Sequence, residues 1–246
     1  MMRGMADALN VHVFGPPDAP PLLALHGVTG HGGRYRALAE RQLPGYRVIA
    51  PDLRGHGHSP ALPPWTLEQH VADVLAVIET FGLDAPPVVA HSFGGLIALH
   101  LPRHRVGDLV LLDPAVSVRP QDALAYAENA AATASDPVAA QRGDWPAAPD
   151  EVVAEEVAAH WTRVDGGWRP RYCPPAVATA WSEMCRPVPA PTERTLVVRA
   201  LRAPYVGPEF LAGAGAAKVV DLDCGHVVYV DAPERVGALV TDFLEG

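Results

Sequence analysis

The residues with the most chemistry to offer are one serine and one distant histidine. Ser92 lies in Pro87-Val88-Val89-Ala90-His91-Ser92-Phe93-Gly94-Gly95-Leu96-Ile97-Ala98-Leu99, which reads as a short apolar strand, an abrupt turn and a helix start. A serine on so sharp a strand-to-helix turn is strained, and the residues two before and two after it must be small for the chain to cross itself. Ala90 and Gly94 meet that requirement. Held this way a hydroxyl is exposed and poised as a nucleophile; the alternative for the same residues is a serine capping an ordinary helix. Far downstream, Asp223-Cys224-Gly225-His226-Val227-Val228 follows the last strand-like run. That puts His226 on the same sheet edge as Ser92, where it can act as a base.

Two other stretches could bind or ligate. His26-Gly27-Val28-Thr29-Gly30-His31-Gly32-Gly33 is a glycine-rich loop at a strand's carboxyl end, where open α/β sheets bind ligands. It lacks both the Lys-Ser/Thr of a phosphate loop and the Gly-x-Gly-x-x-Gly of a dinucleotide fold. His56 and His58 could mark a metal, yet no Asp or third His follows at a suitable spacing. The preferred reading is a structural turn tied by Asp52 and Arg54, so neither a metal nor a cofactor is expected.

The elements that must position these residues alternate. Val11 to Phe14 reads as an edge strand, and Pro21–Leu25, Tyr46–Ala50, Val106–Leu112, Thr195–Ala200 and Lys218–Leu222 read as further strands. Leu67, Val71, Val74, Leu75 and Ile78 recur at helical spacing, with Thr66 and Gln69 as a capping box and Gly82 as the terminator. Val236, Leu239, Val240 and Phe243 mark a last helix over Pro233 to Leu244. Such alternation implies an α/β fold with a mostly parallel, doubly wound sheet. The pattern breaks once: residues 115–191 are rich in Ala, Pro, Glu and Trp, with helix-like stretches at Gln121–Thr133 and Glu151–Thr162. The expected organisation is a core of residues 1–114 and 192–246 carrying an inserted helical segment at 115–191.

Composition narrows the function classes. At 246 residues and 49% hydrophobic, the chain can bury one large core. A net charge of −9 with a single lysine, Lys218, argues against nucleic acid or an anionic membrane as partner. Met1 to Ala8 lacks the basic start and apolar run of a secretory signal, and no 18-residue apolar stretch occurs. Cys173, Cys185 and Cys224 are an odd, widely spaced set that suits a reducing compartment, with a Cys173–Cys185 pair as the alternative. The expectation is a soluble cytoplasmic protein acting on a small molecule.

Four motifs resemble a known family. Leu25-His26-Gly27-Val28-Thr29-Gly30, Asp52-Leu53-Arg54-Gly55-His56-Gly57-His58-Ser59, Ala90-His91-Ser92-Phe93-Gly94-Gly95 and Gly225-His226 stand in the order of the α/β-hydrolase fold superfamily. Asp231-Ala232-Pro233-Glu234 follows the last of them, and together they cover all but the insertion. The chain is similar to that superfamily's small capped esterases, peroxidase-like proteins and carbon–carbon-bond hydrolases. The resemblance implies that Ser92 attacks a carbonyl and that His226 takes its proton and passes it to the leaving group. It also implies that the backbone N–H groups of Val28 and Phe93 receive the oxyanion.

The third triad member departs from the family pattern. The turn after Thr195–Ala200 reads Arg199-Ala200-Leu201-Arg202-Ala203-Pro204-Tyr205, with no carboxylate. In some relatives the acid follows the strand after the nucleophile helix, where Asp113 stands, so Asp113 is the expected acid. Glu209, or no acid at all, is the alternative, and Asp113-Pro114 is also ordinary turn chemistry. The insertion would form a cap over Ser92, its Trp145, Trp161, Trp168 and Trp181 either walling an apolar pocket or holding the cap together. His26, Trp65, Trp161 and Trp181 are the expected substrate-facing residues, for an uncharged or aromatic acyl compound. The expected activity is a serine hydrolase of the carboxylesterase kind. A carbon–carbon-bond hydrolase, a lyase or peroxidase-like member, or a non-catalytic binder are the alternatives.

Overall fold

The side chains of the central strands sort themselves onto two faces. In a computed structural model describing residues 8–246, strands β2 (Pro21–Leu25), β4 (Val88–His91) and β5 (Leu109–Leu112) are buried almost throughout. So is β8 (Thr195–Ala200). Because successive residues of a strand point to opposite faces, Leu23, Leu25, Ala90, Leu109, Leu111 and Val197 enter one apolar cluster. Leu22, Ala24, Val89, Val110, Leu112, Leu196 and Val198 enter the other. The reading of Met1 to Ala8 falls, except for Ala8, outside the described residues.

With β1 (Val11–Phe14), β3 (Arg47–Pro51) and β9 (Lys218–Leu222), these strands form a seven-stranded sheet ordered β1-β3-β2-β4-β5-β8-β9. Only β1 is antiparallel to its neighbour. Helices α2 (Leu67–Thr80) and α3 (Phe93–His100) cover the first face. Helices α1 (Arg36–Gln42) and α10 (Pro233–Glu245) cover the second. The α10 contacts come from Val236, Leu239 and Val240, as the helical spacing predicts. Thr66 Oγ1 accepts from the Gln69 N–H at 3.3 Å. The reciprocal half of the box does not form, because Gln69 Nε2 donates to Asp73 Oδ1 instead.

The segment between β5 and β8 is not purely helical. It contains α4 (Pro120–Glu128), α5 (Pro137–Asp144), α6 (Asp150–His160) and α7 (Pro174–Glu183). It also contains an antiparallel hairpin of β6 (Trp161–Val164) and β7 (Gly167–Pro170). The hairpin turns through Asp165-Gly166, with Gly166 at φ +86°, a left-handed conformation that Asp-Gly turns favour. Helices α4 and α7 bury Ala123, Val177, Ala180, Trp181 and Met184 in the same cluster as Phe93 and Leu96 of α3.

Where β4 passes into α3 the packing is tight. A Cβ on Gly94 would lie 2.4 Å from the Leu25 carbonyl oxygen and 2.6 Å from that of His26. Neither backbone can retreat without breaking the sheet. Gly94→Ala is expected to destabilise the fold by about 3 kcal/mol, lowering Tm by roughly 10 °C in a chain of this size. Thermal denaturation followed by circular dichroism checks this.

Candidate active site

Ser92 sits between β4 and α3 at φ +54°, ψ −119°, outside the regions an L-residue prefers. Such a conformation costs roughly 1–3 kcal/mol and persists only where its surroundings over-determine it. Here the Ser92 N–H donates to the Leu112 carbonyl at 3.2 Å, and the Ser92 carbonyl accepts from Gly95, Leu96 and Ala115. The helix-cap alternative is set aside, since the Ser92 hydroxyl makes no capping bond to α3. It donates instead to His226 Nε2 at 2.9 Å.

His226 lies in the loop between β9 and the short helix α9 (Val228–Asp231). Asp231 Oδ2 holds that loop by accepting from the Gly225 N–H at 2.7 Å. His91 holds it from the sheet side, donating from Nε2 to the His226 carbonyl at 3.0 Å. The His226 ring lies between the rings of His91, 4.6 Å away, and Tyr205, 4.1 Å away. Its Nδ1 donates to Asp113 Oδ2 at 2.6 Å, fixing the tautomer that leaves Nε2 free to accept.

Asp113 ends β5 at φ +43° and is fully buried. Its N–H donates to the Val198 carbonyl at 2.7 Å, and its Oδ1 accepts from the Ala200 N–H at 2.9 Å. The end of β8 therefore aims the carboxylate, although β8 carries no acid of its own. Glu209 is exposed in the first turn of α8 (Pro208–Gly213) and makes no bond to His226. Burial pushes the Asp113 carboxyl up to about 7, against the Ala200 hydrogen bond that lowers it. Burial likewise holds His226 down at about 3. The two groups titrate as a pair, which takes up its first proton near neutrality and its second in strong acid.

The glycine-rich loop closes over the elbow. A Cβ on Gly27 would lie 2.8 Å from Ser92 Cβ and 2.9 Å from His91 Nδ1, so only glycine lets the loop pass. Neither the Val28 nor the Phe93 amide donates to a protein acceptor among the described residues.

The residues expected to face substrate fare unevenly. His26 is wholly buried and both ring nitrogens are used: Nδ1 donates to the Gly27 carbonyl at 2.7 Å and Nε2 accepts from the Leu53 N–H at 2.8 Å. It ties two loops together and has no atom left for a substrate. Trp161 is buried, its Nε1 donating to Gln141 Oε1 at 2.9 Å, and so joins β6 to α5. Trp65 Nε1 donates to the Ala61 carbonyl, and the ring lies beside Gly55. Trp145 packs with Ala148 and Val153, under the Arg34 guanidinium. Trp181 keeps a connection to the site: it stacks on Tyr126 at 4.2 Å and lies 6.5 Å from Tyr205, which covers His226.

The turn expected around residues 52–59 is held as the sequence implies. Asp52 accepts from the N–H groups of Gly32 and His58 and from Asn10 Nδ2, and Arg54 pairs in two bonds with Asp73 at 2.7 and 2.9 Å. His56 is buried with Nδ1 donating to the Arg54 carbonyl, as befits a structural turn. Cys173, Cys185 and Cys224 are unpaired. Among the described residues, no helix is long and apolar enough to cross a membrane.

Comparison with known proteins shows the family. The model of the alpha/beta hydrolase family matches residues 22–239. The chain belongs to that family. This alpha/beta hydrolase is 36% identical to the lipase LipV of Mycobacterium tuberculosis over 253 residues, covering 94% of this chain and 96% of that one. Its fold is similar to the crystal structure of E-2-(acetamidomethylene)succinate hydrolase, with a TM-score of 0.84 and 23% identity over 97% of this chain and 95% of the other. The enol-lactonase from Burkholderia xenovorans LB400 superposes with a TM-score of 0.76 at 20% identity, covering 97% and 96%. The alpha/beta hydrolase is thus a hydrolase enzyme, and a small-molecule substrate is consistent with its family.

Proposed function

We propose that this alpha/beta hydrolase is a serine esterase that works through an acyl-enzyme on Ser92. The observation that carries the reading is the unbroken hydrogen-bond chain from Ser92 Oγ through His226 to Asp113, built on a positive-φ elbow. Ser92 Oγ attacks the ester carbonyl while His226 Nε2 takes its proton, and the Asp113 carboxylate stabilises the imidazolium that forms. The carbonyl oxygen becomes an oxyanion received by the Val28 and Phe93 amides, the latter favoured by the N-terminal dipole of α3. Collapse of the tetrahedral intermediate expels the alkoxide, which leaves as the alcohol with the proton from His226. Water then attacks the acyl-enzyme, giving its proton to His226, and the carboxylic acid departs as Ser92 regains its hydrogen.

Residues 115–191 act in this reading as a cap. The aromatic row of Tyr126, Trp181 and Tyr205 leads from α4 and α7 to His226, which favours an uncharged, apolar or aromatic acyl group over a charged one. The 36% identity to a protein named lipase points the same way. A panel of p-nitrophenyl esters of increasing acyl length, run beside ring-fission ketones, separates an esterase from a carbon–carbon-bond hydrolase. Turnover of the ketones with none of the esters would sink the ester reading. Absence of labelling by a serine-directed fluorophosphonate would identify a binder instead.

The pH dependence follows from the dyad. The working form has Asp113 ionised and His226 neutral, and the pair takes up its first proton at about 7. We expect kcat/KM for p-nitrophenyl acetate to rise through about 7 and then level off as the pH increases, with a single proton lost. A rate independent of pH between 5.5 and 8.5, roughly the span over which such a dyad converts, would contradict the assignment.

A further inference from the structure

Outside the Ser92 site a second cluster of ligating side chains gathers at the other end of the glycine-rich loop. His12 on β1, His31 after β2 and Asp52 after β3 each present one ligand atom within 4.8 Å of the others. They border a cavity of about 110 Å³ whose wall also includes His58, His160 and Arg171. Ser92, Asp113 and His226 are not part of it. The site rests on its own geometry and stands whether or not Ser92 is a nucleophile.

The ring of His31 is held from behind. Its Nε2 donates to Glu156 Oε2 at 3.1 Å, and Glu156 is buried and paired with Arg34 at 2.7 Å. With Nε2 so engaged, Nδ1 is the ring nitrogen that makes no protein hydrogen bond. A carboxylate behind the imidazole is the arrangement that orients metal-bound histidines and raises their basicity. Room for the ring depends on the next turn, since a Cβ on Gly33 would lie 2.8 Å from His31 Nδ1.

His12 and Asp52 meet the distance requirement directly. His12 Nε2 lies 3.1 Å from Asp52 Oδ1, close to the roughly 3.3 Å edge of a tetrahedron with metal–ligand bonds of about 2.0 Å. Asp52 is held in place by the Gly32 and His58 amides and Asn10 Nδ2, so the carboxylate cannot swing away. Two imidazoles and one carboxylate are a donor set for a borderline divalent ion rather than for calcium or magnesium.

We propose that His12, His31 and Asp52 bind one divalent transition-metal cation of the zinc class, with water as the remaining ligand. On binding, His12 carries its single proton on Nδ1 and offers the Nε2 lone pair to the ion in place of its hydrogen bond to Asp52, and His31 closes onto the ion through Nδ1. The loop that carries Val28 ends at His31 and is held beside the site: Thr29 accepts from His160 Nε2 and Arg34 Nη2, and Gly30 donates to Gly27.

The full-length chain, stripped with a chelator and titrated with cobalt(II) chloride, tests this. One equivalent should bind, with the visible d–d band of a tetrahedral or five-coordinate nitrogen–oxygen site, and raise Tm by about 5 °C at saturation. His12→Gln, at a side chain that is a quarter exposed and so poses little risk to folding, should weaken cobalt binding at least about tenfold. Glu156→Gln, which keeps a hydrogen bond to His31, should weaken it less than His31→Gln does. Binding that is not saturable, or that His12→Gln leaves unchanged, overturns the proposal. So does a Tm raised by inorganic phosphate and not by cobalt, which would make Arg171 and the histidines an anion site.

Discussion

Ser92→Ala is expected to lower kcat for p-nitrophenyl esters by on the order of 10⁶-fold, the loss seen when a triad serine is removed elsewhere, with little change in KM. The fold should survive the change. Alanine occupies the same φ +54° backbone at the same cost, and the elbow is held by backbone bonds from Ser92 to Leu112, Gly95, Leu96 and Ala115 rather than by the hydroxyl. Matching circular dichroism spectra and Tm values for the two proteins, together with lost fluorophosphonate labelling, make the result a statement about chemistry. Residual turnover within tenfold of the parent would mean that another group attacks.

Asp113→Asn is expected to cost about 10⁴-fold in kcat, by analogy with the same change in a serine protease triad. The carboxamide oxygen can still accept from Ala200, as Asp113 Oδ1 does at 2.9 Å. The amide nitrogen would then face His226 Nδ1 with a hydrogen, forcing that nitrogen to accept and moving the imidazole proton to Nε2. An Nε2 that carries a proton cannot take one from Ser92. Because an amide does not ionise, the variant should also lose the rise in kcat/KM through about 7. Unchanged turnover beside an inactive Ser92→Ala would remove Asp113 from the site and return the search to acids such as Glu209.

The legible and illegible parts of the site differ in what sets them. Ser92 and Asp113 stand directly after a strand and His226 in the loop that follows the last one, and a parallel sheet brings the carboxyl ends of its strands to one edge. Reading the strands puts Ser92 and His226 on one edge, whereas Asp113 as the acid came from the family resemblance, with Glu209 or no acid as the alternative. Tyr205 and Tyr126 were missed as a pair because their rings meet His226 and Trp181 through the path of a loop and the packing of two inserted helices, which no local pattern encodes. His26 was misread for the opposite reason. Its neighbour Gly27 must approach Ser92, but the imidazole itself turns inward and joins Leu53 to the loop. The hairpin in the insertion left a usable trace, the Asp165-Gly166 pair, obscured by strands of four residues each. The His12, His31 and Asp52 cluster draws one residue from β1 and one from each of the loops after β2 and β3, so no spacing rule finds it.

The apolar cluster shared by α3, α4 and α7 bears on how the molecule melts. Val177, Trp181 and Met184 lie against the same interior as Phe93 and Leu96. Burying three such side chains is worth roughly 1.5–3 kcal/mol each, a sum comparable with the whole stability of a typical domain. Peeling α4 and α7 from the sheet would therefore strip α3, the helix that starts after Ser92, of its cover, and the two parts should denature together as one cooperative unit.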